Sequence, residues 1–518
     1  MNESIKISHV MCSAFGAALS YYLLFPLYRS GVMGAAFLLF LLFVPVAVAC
    51  FLRALGSLSF VAGFGQEARR RLSAMTMLVL AFAASLAIGV GTGARVTPGP
   101  FFGIDAETVT GISGTLLDDP RIVSNGSAMA RISLQTVSGR AGERASASGE
   151  LTVFFREENA GRLREFGRGT VVFAEGRLQE STGSFAGSYL FNAGSLHVTA
   201  KAGSLDRLRT GIRLALGDRF APVPQAAVSP MSVSQEEAWG GLALALLLGV
   251  RDNLDSGFTA LYRNAGISYI LALSGMHLAV IIALVSFLLK KPFGVRPAAI
   301  AGAVIIAAYC FLVGPLPSLY RSALMYILAV FTVLGMLKRD SLSILSMAFV
   351  IQLVLTPQDG FSLSFMLSYL AMVGILVLGR SLNGILSGII PRFLLGSFSL
   401  SLGAFIGTAA IVSWFFGEIR PVGIIASLVV APLTTVFMVV SMAWLAIGAL
   451  LPALSPLLAW VLSALYNLME ATARLAGFMP GIKANPYLVL LFSMAVAVLL
   501  PVADSRLRSK RKVLMPFA

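Results

Sequence analysis

GISYILALSGMHLAVIIALVSFLL, Gly266 to Leu289, is long and apolar enough to cross a bilayer, yet it carries Ser274, Gly275 and His277 near its middle. A titratable ring at membrane depth is costly unless it faces protein or water, so this cluster is the first place to look for function. Read as one continuous helix, the stretch puts Ser274 and His277 a turn apart on a shared face, and Gly275 lets a neighbour approach the backbone closely. Two readings stand. One is a polar contact on a path through the membrane; the other is a neutral histidine bonded to a helix carbonyl as packing glue.

Outward from this stretch, comparable apolar runs fill both ends of the chain. With 57% hydrophobic residues, 12% charged residues and a mean hydropathy of +0.85, the chain is read as a polytopic α-helical membrane protein. Three spans are expected near 9–28, 32–52 and 72–92, and they look like an anchor because they hold little polar material. Nine more are expected near 266–289, 297–314, 318–337, 341–356, 361–379, 399–417, 422–450, 455–478 and 486–502, with Pro432 interrupting one and the segment near Pro391 lying in the interface. That makes about twelve. GGLALALLLGV, Gly240 to Val250, is too short to span and precedes polar RDNLDSG, so it reads as re-entrant or half-buried.

The spans stop between 103 and 230, where the pattern changes. ETVTGISGTL, MARISLQTV, ELTVFF, TVVFAEGRLQ and SYLFNAGSLHV read as five short strands between Gly, Ser, Asn and charged turns. Five such strands in a hundred residues suggest a small barrel like the oligonucleotide-binding fold, inserted as an all-β domain. Phe154, Phe155, Phe173, Phe185, Tyr189 and Phe191 offer stacking surfaces, but Asp118, Asp119, Glu157 and Glu158 offset the arginines. A structural barrel and a single-strand binder both stand. SLDRLRTGIRLALGDRF, Ser204 to Phe220, gathers Leu205, Leu208, Ile212 and Leu216 on one face with arginines elsewhere, which reads as an interfacial helix. The expected organisation is N-terminal helices over 1–102, the β domain over 103–200, helix and linker over 201–233, a membrane domain over 234–503 and a basic tail over 504–518.

The net charge of +15 sits mostly in short loops: Arg53 and Arg69 to Arg71, Lys290, Lys291 and Arg296, Lys338 and Arg339, and the tail from Arg506 to Lys512. If all are cytoplasmic, as the positive-inside rule prefers, both termini lie inside and the β domain lies outside the cell membrane. Cys12, Cys50 and Cys310 lie in apolar runs without paired spacing, so they read as small core residues rather than a disulfide or zinc framework. The first apolar run has only Lys6 before it and no clear cleavage site, and it reads as a retained helix. No lysine precedes Ser or Thr, which excludes a Walker A loop and an internal nucleotide motor. With His9, His197 and His277 alone, no histidine-rich two-metal hydrolase can be assembled, and no cofactor is expected.

Further polar groups interrupt the membrane domain. In GPLPSLYRSALM, Gly314 to Met325, the chain breaks at Pro315 and Pro317 and restarts with Ser318 as the expected N-cap, which puts Arg321 in the first turn. Arg321 either snorkels to the nearby surface or meets an anion in a cavity. In PQDGFSLSFMLSYL, Pro357 to Leu370, Asp359 and Gly360 make a turn before a helix on which Ser364 and Ser368 share one face and Phe361 and Phe365 a neighbouring one. Trp414, Phe415, Phe416 and Glu418 mark a membrane interface, and Ser427 with Pro432 a broken helix.

At these same residues the chain resembles the ComEC competence protein family. The resemblance runs through LLLGVRDNL (Leu246 to Leu254), GISYILALSGMHL (Gly266 to Leu278), PSLYRSALM (Pro317 to Met325), DGFSLSF (Asp359 to Phe365) and SLVVAPL (Ser427 to Leu433), across about residues 230 to 500. Ser362 and Ser427 stand where the family commonly has Gln and Asn. The chain ends soon after its last span, without the metallo-β-lactamase-like domain that many members carry. The resemblance implies a channel for single-stranded DNA in the inner membrane, without its own nuclease. It implies partners: a DNA receptor outside, a helicase-like ATPase in the cytoplasm and a separate nuclease. Ser274, Gly275, His277, Ser318, Arg321, Asp359, Phe361, Ser364 and Phe365 are the expected path residues, none of them catalytic. Two other classes stand beside this one: a secondary transporter of a small anionic solute around a midplane site, and an intramembrane hydrolase using Ser274 and His277.

Overall fold

The computed structural model describes residues 14, 16–24, 79, 82–92, 100–122, 127–140, 142–156, 158, 163, 166–180, 189–220, 238–314, 316–335 and 340–514, with side chains as far as Asp504, those of Leu23, Leu24 and Ala449 excepted. The expected span at 32–52, the linker at 221–233, Cys12, Cys50, Phe185, Glu157 and the basic side chains of 53–71, 338–339 and 506–512 lie outside the described residues.

The five strand-like runs form β1 (Val109–Leu116), β2 (Ala128–Gly139), β3 (Glu150–Phe155), β4 (Val171–Glu180) and β5 (Tyr189–Ala200). β1 pairs antiparallel with β2 and β4, β2 with β3, and β4 with β5, while β3 and β5 run parallel. The ring therefore closes as β1-β2-β3-β5-β4-β1, a five-stranded barrel with no free edge among these strands. Alternation supplies its core: Ile112, Leu116, Ile132, Val153, Phe155 and Phe191 point inward and are almost fully buried. Outside, Arg131 grips Asp118 at 2.6 Å and reaches Glu150 at 3.2 Å, exposed pairs of little energetic weight.

After the barrel come α1 (Ser204–Phe220), α2 (Ala238–Leu248), α3 (Ser256–Asn264), α4 (Gly275–Phe293), α5 (Val295–Val313), α6 (Pro317–Leu334), α7 (Ser341–Leu355), α8 (Leu363–Val373), α9 (Arg392–Phe416), α10 (Val422–Leu450), α11 (Ser455–Gly477) and α12 (Pro486–Leu514). Among the described residues, eight helices are long and apolar enough to cross a membrane: α4, α5, α6, α8 with its continuation to Leu386, α9, α10, α11 and α12. α7, expected as a span, is a shorter apolar helix, as are Phe82–Thr92 and α2.

Three features depart from expectation. The stretch that opens the membrane domain is not one helix: Ser268–Leu271 makes a 3-10 turn, and α4 starts only at Gly275. Helix α10 is not broken at Pro432, which lies inside its 29 residues. Just past that proline the hydroxyls of Thr434 and Thr435 bond to the carbonyls of Val430 and Ala431, a local adjustment of the kind that lets membrane helices carry proline. Helix α9 starts directly after Pro391, earlier than the span expected from 399.

The core of the membrane domain forms around α2, in which Trp239 through Leu248 are all buried. Phe258, Tyr262, Val430, Phe437, Leu462 and Met469 pack on it. A helix that is apolar all round belongs in such a place, where hydrophobic faces enclose it on every side. The helices that follow α8 lie close: a Cβ on Gly374 would meet the Gly403 carbonyl oxygen at 2.2 Å, so only glycine fits that crossing. Span α10 is the most enclosed of the eight and α12 the least. Large side chains such as Phe287, Phe393 and Phe478 remain exposed on the outer surface, as lipid contact requires.

Candidate functional site

Because α4 begins at Gly275, Ser274 is its N-cap, and the cluster sits at a helix end rather than in mid-helix. The Ser274 hydroxyl accepts from the backbone N–H of Met276 at 3.3 Å, and His277 Nδ1 accepts from the backbone N–H of Ser274 at 3.1 Å. The imidazole takes the part that Glu or Gln plays in a capping box, satisfying a backbone donor that would otherwise be stranded in apolar surroundings. That bond fixes the tautomer: Nδ1 is the acceptor, so the proton is on Nε2, which is buried and has no partner among the described residues. The packing reading changes in its partner: the ring bonds to a backbone N–H rather than to a helix carbonyl.

Helix α6 docks on this turn. Its N-cap is Leu316 and Pro317 is the first helical residue, so the expected cap at Ser318 falls one position inside the helix. The Ser318 hydroxyl instead donates to the Leu273 carbonyl at 2.6 Å. Arg321 stands in the second turn, not the first, and at 8% exposure it does not snorkel. Its Nη1 donates to the Ser368 carbonyl, its Nη2 lies 3.4 Å from the Ser322 hydroxyl, and its guanidinium carbon sits 6.0 Å from the centre of the Tyr369 ring. No carboxylate among the described residues pairs with it. A Cβ on Gly275 would meet the Ser322 hydroxyl at 2.6 Å and Arg321 Nη2 at 3.2 Å, so the glycine permits this contact.

The network continues through residues that sequence reasoning missed. Gln352, 1% exposed in α7, donates to the Pro317 carbonyl at 2.9 Å and accepts from the Tyr369 hydroxyl at 2.9 Å. One seam of polar groups therefore joins the turn before α4 with α6, α7 and α8. The signal for Gln352 was present in FVIQLVL, where an amide interrupts an apolar run and needs partners at membrane depth.

The remaining expected residues divide. Phe365 is buried against Tyr369 and Phe349 beside the seam. Ser364 is exposed and makes no hydrogen bond among the described residues. Phe361 and Asp359 belong to a separate contact, a 3-10 turn over Pro357–Phe361 held by the N-terminal helix. Tyr21 donates to the Pro357 carbonyl and Tyr22 to the Gly360 carbonyl at 2.6 Å, while Phe361 stacks on Tyr21 with ring centres 4.9 Å apart. That helix, expected as an anchor, thus holds a loop of the membrane domain. Burial raises the Asp359 carboxyl above its usual range, partly countered by Thr356 and the charge of Arg131 in the barrel.

A second polar centre joins barrel to membrane domain. Arg209 of α1 donates through Nη1 and Nη2 to both oxygens of Asp119 at 2.9 and 2.6 Å, and through Nε to the Phe311 and Leu312 carbonyls at 2.8 and 3.1 Å. Arg213 donates to the Leu312 and Val313 carbonyls at 3.1 and 2.9 Å. Two cations thus cover the C-terminal carbonyls of α5, where the helix dipole favours positive charge. Burial alone would raise the Asp119 carboxyl, but the Arg209 hydrogen bond, both guanidinium charges and the Arg168 N–H hold it below its usual range. Leu205, Leu208 and Ile212 are exposed on the outer side of α1, as an interfacial helix requires.

The family model described as Competence protein matches residues 246–506, about half of the chain, including every seam residue. A relative from Aquifex aeolicus (strain VF5), described only as an uncharacterized protein, is 28% identical over 201 residues, which cover 38% of this chain and 46% of that relative. No solved structure matches. With eight spanning-length apolar helices and the family match over the membrane domain, this multi-pass membrane protein belongs to the competence protein family.

Proposed function

We propose that the chain is a passive conduit for single-stranded DNA across the inner membrane during natural transformation, and that the seam of Ser274, Gly275, Ser318, Arg321, Gln352 and Tyr369 is its closed gate. The observation that carries this reading is the bonding of Arg321. A buried guanidinium is expensive, and most are held by a carboxylate; this one has a backbone carbonyl and a ring face. A strand phosphate would out-compete a neutral carbonyl for Arg321, whereas a carboxylate partner would exclude it. The rest of the seam is hydroxyl, amide and backbone, which can replace hydration without reading bases.

The strand order of the barrel supports an oligonucleotide-binding-like domain on the outer side, near a DNA receptor. A helicase-like ATPase in the cytoplasm would pull the strand, a separate nuclease would degrade its complement, and the basic tail and N-terminus would face the cytoplasm. The chain itself performs no catalysis in this reading. A site-specific photocrosslinker at Ser322 should capture incoming DNA during uptake; strand entry without adducts there would remove the seam from the path. Normal transformation of a deletion strain would remove the function.

A further inference from the structure

A cavity of about 160 Å³ lies where the barrel meets the ends of α2 and α5, lined by Arg121, Arg168, Arg209, Arg213 and Arg251. That is well above the ~10–15 Å³ needed for one water, so a hydrated ion has room. Four carboxylates also line it: Asp118, Asp119, Asp218 and Asp252. Asp118 is engaged with Arg131 outside the cavity, and Asp119 is shared by Arg209 and Arg213. Asp252 accepts the Ile122 backbone N–H at 3.1 Å. Arg251 donates to the Leu271 carbonyl, while the guanidinium groups of Arg121 and Arg168 have no ion pair among the described residues.

Five guanidinium groups thus share this lining with four carboxylates, of which Asp118 and Asp119 are already engaged by arginines. Burial and the neighbouring charge of Arg121 push the Arg251 guanidinium below its usual range. Burial does the same to Arg213, with Arg209 and Arg121 adding to it against the pull of Asp119 and Asp252. An anion between these groups would relieve the repulsion and take up the unused donors.

We propose that this cavity is a phosphodiester site that holds the backbone of a DNA strand between barrel and membrane domain, a reading that rests on the conduit function above. One wall is made by the barrel loops at Asp118–Arg121 and Phe166–Arg168, so the cavity opens between barrel and helix ends. A lipid headgroup would have to bring two acyl chains between those loops; a strand passes there without them. Arg209 and Arg213 are fixed on the α5 carbonyls, which leaves Arg121, Arg168 and Arg251 as the groups that grip.

The test uses the full-length protein in detergent with a fluorescein-labelled oligomer of abasic deoxyribose phosphate, which offers phosphodiesters and no bases. Fluorescence anisotropy at low salt should show binding that R121A/R168A weakens about tenfold, with a salt slope shallower by about one to two. R121K/R168K should bind within about threefold of the unaltered protein, since it keeps the charge. Unchanged affinity in the alanine double variant, or no binding by the unaltered protein, overturns the proposal. Loss of a co-purifying phospholipid from the double variant with probe affinity unchanged also overturns it, and gives the cavity to a headgroup. Binding in detergent needs no transport, so a failure here is distinct from a failure of the conduit, which the deletion strain decides.

Discussion

Arg209 and Arg321 are both buried, 2% and 8% exposed, yet they are held in opposite ways. At the joint, Arg209 meets both oxygens of a carboxylate and the end of a helix dipole, with every nitrogen engaged. In the seam, Arg321 has a carbonyl, a hydroxyl at long range and a ring, and its Nε is buried without a partner among the described residues. The first arrangement locks the barrel to the membrane domain. The second leaves a cation whose bonds can be exchanged. Buried charge is structural where its partner is charged and permanent, and available for function where its partners are neutral.

The largest effect should come from breaking the lock. Asp119→Ala leaves Arg209 and Arg213 buried without their carboxylate, which should cost about 3–5 kcal/mol, read as a lowered Tm in detergent and reduced membrane level. Preserved stability in that variant would erase the contrast. Next is the exchangeable cation: Arg321→Ala should lower DNA uptake at least about tenfold at preserved membrane level, with a stability loss of only ~1–3 kcal/mol. A collapse in stability as large as at Asp119 would make Arg321 a lock as well. Gln352→Leu strands the Tyr369 hydroxyl and the Pro317 carbonyl, and should cost ~1–3 kcal/mol by thermal unfolding. Ser274→Ala removes the cap of α4 and should cost about 1 kcal/mol by thermal unfolding, and His277→Ala should add a further ~1–3 kcal/mol, because it strands a different donor, the Ser274 N–H.

Acid sharpens the same comparison. Asp119 has a folded pKa below its ordinary value of 3.8, so its contribution is complete above that value and is lost as pH falls through the lower, folded one. Tm measured from pH about 5 to about 2 should fall in the unaltered protein and fall less in D119N, whose amide does not titrate. Equal slopes in the two proteins would show that another group carries the acid sensitivity.

Much of the fold was legible because hydrophobic periodicity is local. The helix over Ser204–Phe220 was placed at the residues it occupies, the five strand runs became the five barrel strands, and α2 was recognised as too short to span. The site was less legible. An apolar run looks the same whether it is one helix or a 3-10 turn followed by a helix, so Ser274 passed for a mid-helix residue when it is a cap. Gln352 was overlooked among its apolar neighbours, and Tyr21 and Tyr22 find their carbonyls 336 and 338 residues away, beyond the reach of any local pattern.

By itself, the sequence determined that this chain must sit in lipid, carry an inserted β domain and place a few costly polar groups among its spans, because composition and period fix which surfaces must be buried. Only the tertiary structure decided which arginine is paired with an acid and which with a carbonyl. Those partners come from helices and loops far apart in the chain, and a charge acquires its role from what lies within a few ångströms of it.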